Sequence, residues 1–289
     1  MIALVQRDLL LYFRNHSRVL FSLMGAMIAF VLYLVFLKNM IQSSWQSYPG
    51  SDVLLDQWLI GGTLAITGIT TTLAGLTQVV SDRESQVRQD LLQTDISDTQ
   101  LMISYLAGAS LIGVLMQIIM FAIMLGYFHM QDNLSITWEQ TGLLLALMLL
   151  NAILSAAINA VVINFVRSMS SLASLSTVIG TGAGFLVGGL IPIGKLPDFA
   201  QKLIKVTPGS YIASLNRQVL MNDQLASAFG DHLSTQHHFE KLLGVRLDWD
   251  GLLTRQETLN IVIVALVLAT ALTLIPQLIA GRQRRQLTA

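Results

Sequence analysis

Residues 58–80 read WLIGGTLAITGITTTLAGLTQVV, 23 positions without a single charged side chain. A run of this length and composition meets the need of roughly 20 apolar residues for a helix that crosses a bilayer. Its glycines and threonines are compatible with that, since a threonine hydroxyl can bond a carbonyl of its own helix. Directly after it, residues 81–97 read SDRESQVRQDLLQTDIS, with two arginines and four acids, and then a second long apolar run begins. A span, a short charged segment and another span describe a chain that threads a membrane more than once.

Working outward, long uncharged apolar stretches also occupy residues 19–37, 101–128, 141–166, 170–191 and 259–280. The 289 residues are 53% hydrophobic and only 12% charged, with a mean hydropathy of +0.63. Soluble domains carry roughly 25% charged residues, so lipid is the solvent for much of this chain. The expected fold is an all-α integral membrane protein with six transmembrane helices. The first stretch is too long for a signal-peptide core and no small-residue cleavage site follows it. Trp58 and Trp138 stand at span starts, where interfacial aromatics are common. Zero net charge gives no sign of a nucleic-acid partner. The absence of cysteine excludes disulfides and thiol chemistry.

Six spans put both ends of the chain on one side. Arg7, Arg14 and Arg18 precede the first span, Arg83 and Arg88 lie between the second and third, Arg167 lies between the fourth and fifth, and Arg282, Arg284 and Arg285 follow the sixth. The two short loops of the other face carry only Lys38; its remaining cations lie in a long loop, about 192–257, where the positive-inside rule has little force. The termini and residues 81–97 are therefore expected to be cytoplasmic.

The six apolar stretches contain no Asp, Glu, Lys, Arg or His. Ion-coupled carriers usually place an ionisable group there, which argues against secondary transport. Neither His-Glu-x-x-His nor Gly-x-Ser-x-Gly occurs. Residues 189–195, GLIPIGK, have phosphate-loop spacing, but Leu196 follows where a magnesium-binding hydroxyl belongs and a span precedes where a strand belongs. The plainer account is a span exit, with Pro192 ending the helix. His232, His237 and His238 in the outer loop lack an acidic or cysteine partner at a ligand spacing. No soluble portion is large enough for an ATPase, so energy for any transport is expected from another chain.

The charged segment has internal order. Ser81 and Glu84 have capping-box spacing, which predicts a helix starting just beyond the second span. Glu84 and Arg88 stand four apart in the favourable order. Val87 and Leu91 share a face, with Leu92 and Ile96 beside it. Ser97 and Gln100 form a second capping box, which predicts the start of the third span. A solvated loop and a docking helix fit this pattern about equally; the exposed leucines favour docking.

Residues 82–108, DRESQVRQDLLQTDISDTQLMISYLAG, resemble the first cytoplasmic loop of ABC-2 type transporter permeases. That family shows an acidic and basic start, a Leu-Leu pair, a Thr/Ser-Pro-Ile/Val-Ser break and a span opening with Tyr/Lys-Leu-x-Gly. Here Asp95 replaces the usual proline, which leaves the break to an Asx-type turn, and Ser85-Gln86 replaces the usual Arg-Gly. Residues 6–21, QRDLLLYFRNHSRVLF, resemble the family's amphipathic connecting helix. The stretch GGLIPIGKLPDFAQKLIKVTPGSYIASLNRQVLM resembles its fifth-span exit and outer helical hairpin, with Pro197 opening one short helix and Thr207-Pro208 another.

The resemblance covers nearly the whole chain. It implies a single transmembrane domain over 1–289, with a connecting helix at 1–18, a coupling segment at 81–98 and an extracellular loop with short helices at 192–257. It further implies a non-catalytic subunit of a bacterial ABC exporter, similar to the daunorubicin-resistance type permeases. ATP and Mg would be bound by a separate ATPase chain docked on Asp82, Arg83, Glu84, Val87, Arg88, Leu91, Leu92, Asp95 and Ile96. The membrane core would be a homodimer or a pair with a sister permease, in the cell membrane, exporting an amphipathic drug, an antimicrobial peptide or a lipid-like molecule. The alternatives are a permease for polysaccharide or teichoic acid, and an immunity or scaffold protein that transports nothing.

Two further patterns suggest sites within the spans. Ser176, Gly180, Gly184 and Gly188 recur every four residues, a stripe that suits close helix packing inside the chain or at a dimer axis. Thr67 and Thr71, with Thr63 and Thr70, suit either a polar-tolerant pathway or self-satisfied hydroxyls. Asn151, Ser155 and Asn159 align on one face of the fourth span; partners on a neighbouring helix are the first expectation, and Asn151 and Asn159 as pathway lining the second.

Overall fold

The computed structural model describes residues 1–38, 40, 50–230 and 232–288, with side chains through residue 278. The chain opens with α1 (Ile2–Phe13), whose Leu4, Asp8 and Tyr12 turn inward at four-residue spacing. Asn15 then caps α2 (His16–Leu32), its side chain accepting from the Arg18 amide at 3.0 Å. A π-helical turn, Tyr33–Leu37, extends α2. The second span is α3 (Ser51–Glu84). A short α4 (Val87–Leu92) leads into α5 (Asp98–Asp132), followed by α6 (Trp138–Ile163) and α7 (Met169–Leu186).

Four short helices come next: α8 (Asp198–Val206), α9 (Pro208–Leu220), α10 (Asn222–Phe229) and α11 (Leu233–Leu243). The last helix, α12 (Arg255–Thr288), carries Pro276 inside it. Among the described residues the β pairing is one isolated bridge, Asp248 to Leu252. Among the described residues, six helices are long and apolar enough to cross a membrane. The protein is an all-α membrane protein.

The helices are unequally covered. In α3, 89% of the most apolar stretch is buried, against 17% in α7, 22% in α12 and 33% in α2. So α3 is the axis of the bundle, packed on α2, α5, α6, α7 and α9. It can sit there because small residues let other groups close on it. A β-carbon on Gly68 would lie 2.2 Å from Asn151 Nδ2. Into that gap Asn151 donates to the Leu64 carbonyl (3.1 Å) and to Gln117 Oε1 (2.8 Å), with Ser155 donating to Asn151 Oδ1. Asn159 donates to the Ile69 carbonyl and Thr72 Oγ1, both at 2.9 Å. These amides seam α6 to α3, where no water is available to pair them.

Several local expectations need correction. Ser81 and Glu84 do not form a capping box, because α3 continues through Glu84 with the Ser85 amide still bonded to the Ser81 carbonyl at 2.9 Å. The break falls at Gln86, at φ +66°. The next helix ends where Thr94 Oγ1 donates to the Leu91 carbonyl, so Thr94 makes the closing bond assigned to Asp95. The Ser97–Gln100 capping box does form, with both reciprocal bonds. At the fifth-span exit, α7 stops at Leu186, before Pro192, and Gly188 takes the left-handed conformation that closes a helix (φ +65°). Thr207 precedes Pro208 as expected, but its hydroxyl donates back to Leu203 rather than capping α9. Trp138 is exposed, whereas Trp58 is fully buried and is no interfacial anchor.

Candidate functional site

At the end of the bundle that carries the N-terminus, α1 lies against α3 and α5. Its hold is specific. Arg7 Nη1 donates to Asp82 Oδ2 and Arg7 Nη2 to Asp82 Oδ1, both at 2.7 Å. Tyr105 donates its hydroxyl to the same carboxylate at 2.6 Å, and Gln78 donates from Nε2 at 2.7 Å. Asp82 is 1% exposed, so it belongs to an internal latch rather than to a docking surface. The hydrogen bonds that Arg7 donates to Asp82 hold its guanidinium well above its ordinary pKa.

Asp8, the next residue, is also buried and less well served. Its Oδ2 has no hydrogen-bond partner, and Arg7 approaches its Oδ1 at 3.4 Å. Burial pushes the Asp8 carboxyl up to about 7, against the opposing pull of Arg7.

The segment 81–97 forms a shelf beside this latch. Leu91, Leu92 and Ile96 are partly buried and pack on a core that includes Leu4, Leu101 and Tyr105. Arg88 pairs with Asp98 at 2.7 Å rather than with Glu84. Glu84 instead accepts from the Met169 amide at 2.9 Å, at the start of α7. Arg83 donates to the Val166 carbonyl at 2.8 Å. Val87 is half-buried. What remains exposed on the shelf is polar: Gln89, Asp90, Gln93 and Asp95, beside the exposed Glu84.

Within the spans, a groove of about 620 Å³ lies between α2, α3 and α7, lined among others by Met24, Ile28, Thr70, Gly180 and Phe185. Thr67 and Thr71 do not reach it; both are fully buried and donate to carbonyls of their own helix. Asn151 and Asn159 do not line it either, being spent on the seam with α3. Of the small-residue stripe, Ser176, Gly180 and Gly184 border the groove, and Gly188 lies beyond α7 as its closing residue. A β-carbon on Gly180 would meet open space, whereas one on Gly184 would lie 2.8 Å from Leu190.

Two arrangements at the opposite end were not foreseen. Arg217, in α9, is wholly buried and makes no ion pair with a carboxylate among the described residues. It donates to the carbonyls of Trp58, Gly188, Leu243 and Gly244 at 2.7–3.3 Å and lies over the Trp58 ring at 4.7 Å. Desolvation lowers its pKa to about 9. The signal in the sequence was a lone arginine among apolar residues in YIASLNRQVL.

The second arrangement follows from the π turn. It sets Tyr33 and Lys38, five residues apart, onto one carboxylate: Tyr33 donates to Asp56 at 2.8 Å and Lys38 to Asp56 at 3.1 Å. Lys38 also reaches Asp132 at 2.6 Å. Asp56 was missed because the apolar count began at Trp58, while the helix begins a full two turns earlier at Ser51.

The model of the ABC-2 family transporter proteins matches residues 39–275. The chain belongs to the ABC-2 transporter family. It is the membrane permease component of an ABC transporter, a class in which an ATPase partner is implied. No curated protein matches the permease sequence significantly.

Proposed function

We propose that this permease is the membrane subunit of an ATP-driven exporter in a bacterial cell membrane, with both termini cytoplasmic. The arginines at that end of the bundle support the orientation. ATP and Mg are bound and hydrolysed by the separate ATPase chain, and this chain does no covalent chemistry. Its task is mechanical: a push received at α1 and α4 must reach the spans.

The observation that carries this proposal is the Arg7–Asp82 latch. It ties α1 to the end of α3, and α3 is packed on α2, α5, α6, α7 and α9. A displacement of α1 is thereby imposed on the axis of the protein. The docking face is formed by the exposed polar side of the shelf, Glu84 to Asp95, together with the outer face of α1. The permease works as a dimer, of two copies or with a sister chain, with the poorly covered α2 and α7 at the contact. The groove between α2, α3 and α7 is then enclosed as part of the pathway. Its apolar lining suits an amphipathic drug, a peptide or a lipid-like molecule.

The test is reconstitution of the permease with its ATPase in proteoliposomes. Arg7→Ala should keep the ATPase bound and let it hydrolyse ATP, while export falls. Full export by Arg7→Ala would refute the latch as the transmitting element. ATP-independent function with a hydrolysis-dead partner would refute the exporter itself.

A further inference from the structure

Where the groove between α2, α3 and α7 reaches the terminal end of the bundle, it meets a second recess of about 470 Å³. Arg18 borders both cavities. The recess is otherwise lined by Leu11, Arg14, Asn15, His16, Ser17 and Gln78. The groove and the recess thus adjoin at Arg18, forming a depression that is apolar between the spans and carries its cations at one end.

The side chains of Arg14, His16 and Arg18 make no ion pair among the described residues. α2 and α7 contain no acidic residue at all. On the flanking helices, Asp8 and Asp82 are buried and face Arg7. Gln78, which borders the recess, is committed to Asp82. Two guanidiniums thus stand beside an apolar groove with no carboxylate paired to them among the described residues.

We propose that this depression binds an anionic phospholipid of the leaflet at the terminal end, with its phosphate on Arg14 and Arg18 and an acyl chain in the groove. The charge pattern favours this occupant over a neutral one, because basic pockets between spans bind lipid head groups and each cation near an anionic membrane surface contributes about fivefold in affinity. A second copy of the chain could cover the apolar part, but α2 and α7 would bring no acid to the arginines. The further claim that this lipid is cargo rests on the groove being the pathway. Occupancy of the site does not.

Native mass spectrometry of the purified full-length permease tests the site directly. The protein is given equal phosphatidylglycerol and phosphatidylcholine with identical chains in a neutral detergent. One phosphatidylglycerol should be retained per chain, in preference to phosphatidylcholine. Arg14→Gln with Arg18→Gln should lower that retention by about tenfold or more. Gly180→Leu fills the groove where there is open space and should displace the lipid without touching the basic recess. Millimolar inorganic phosphate should not compete, because it lacks the acyl chain. Equal retention of the two lipids, or unchanged retention by the double-arginine variant with its melting temperature intact, overturns the proposal. Displacement by phosphate, with Gly180→Leu unaffected, would show a plain anion site in place of a lipid site. A bound lipid that the reconstituted, ATPase-coupled permease fails to move would leave the site standing and remove the groove as pathway.

Discussion

Arg7 and Asp82 meet as a two-pronged pair, each guanidinium nitrogen 2.7 Å from its own carboxylate oxygen, although they lie 75 positions apart in the chain. The planar fork of arginine matches a carboxylate in a way that a lysine ammonium cannot. Tyr105 and Gln78 complete the acceptor's coordination.

Removing one member of this pair leaves the other charge poorly compensated. Asp82→Ala should therefore cost about 3–5 kcal/mol. Arg7→Lys should lose part of that. Hydrogen exchange of α1 is the measurement: both variants should expose its amides, and an α1 as protected as in the parent would show that the latch is not what holds it.

Asp8 makes the seating of α1 depend on pH. Its carboxyl titrates at about 7 in the folded protein against an ordinary 3.8. The folded state thus binds the proton more tightly than the unfolded state. The stabilisation is complete below about 4 and is lost as pH rises through about 7. Protection of α1 from exchange should decline between about pH 4 and about pH 7 and level off above that. Asp8→Asn should flatten the decline and raise stability at the alkaline end. A parent profile as flat as that of Asp8→Asn would contradict the assignment.

The docking face is tested by comparing two pairs. Asp90 and Asp95 are exposed, so reversing both to lysine should weaken co-purification of the ATPase, and more so at low salt; each exposed ion pair contributes only about 0–1 kcal/mol. Leu91 and Leu92 pack on the permease itself. Leu91→Ala with Leu92→Ala should mainly lower the melting temperature of the permease. Loss of the ATPase from the leucine pair with the melting temperature unchanged would put those side chains in the interface instead.

Gly68 and Asn151 should behave as one unit. Gly68→Ala places a methyl 2.2 Å from Asn151 Nδ2 and should cost about 1–3 kcal/mol. Adding Asn151→Ala should recover part of the loss by opening space. A strictly additive pair in a double-mutant cycle would mean that the two do not share the contact.

Much of this was legible in the linear chain, and the losses have physical causes. The spans announce themselves because lipid demands long apolar helices, and the Ser97 capping box is local enough to read directly. The span limits were less visible. Asp56 and Asp82 sit on helical residues outside the apolar count, and they are charges that the fold neutralises with Lys38 and Arg7, far away in sequence. Leu91 and Leu92 looked exposed because the sequence does not show that α4 folds back on the bundle. Thr67 and Thr71 looked like lining until their neighbours were in place. Arg217 could not be placed at all, since its partners are main-chain carbonyls, which every residue possesses.

The burial of α3 has a consequence for biogenesis and for tolerance to mutation. A helix screened from lipid need not be lipid-like, and α3 is accordingly among the less apolar spans, at a mean hydropathy of 1.5 against 2.2–2.5 in α2, α5, α6 and α12. It leaves the ribosome before α5, α6 and α9 exist to shelter it. A nascent chain stopped after α3 must hold its threonines and glycines beside acyl chains. A saturation scan should therefore be harshest along α3 and most permissive on the outer face of α12, where any apolar side chain serves the solvent it meets.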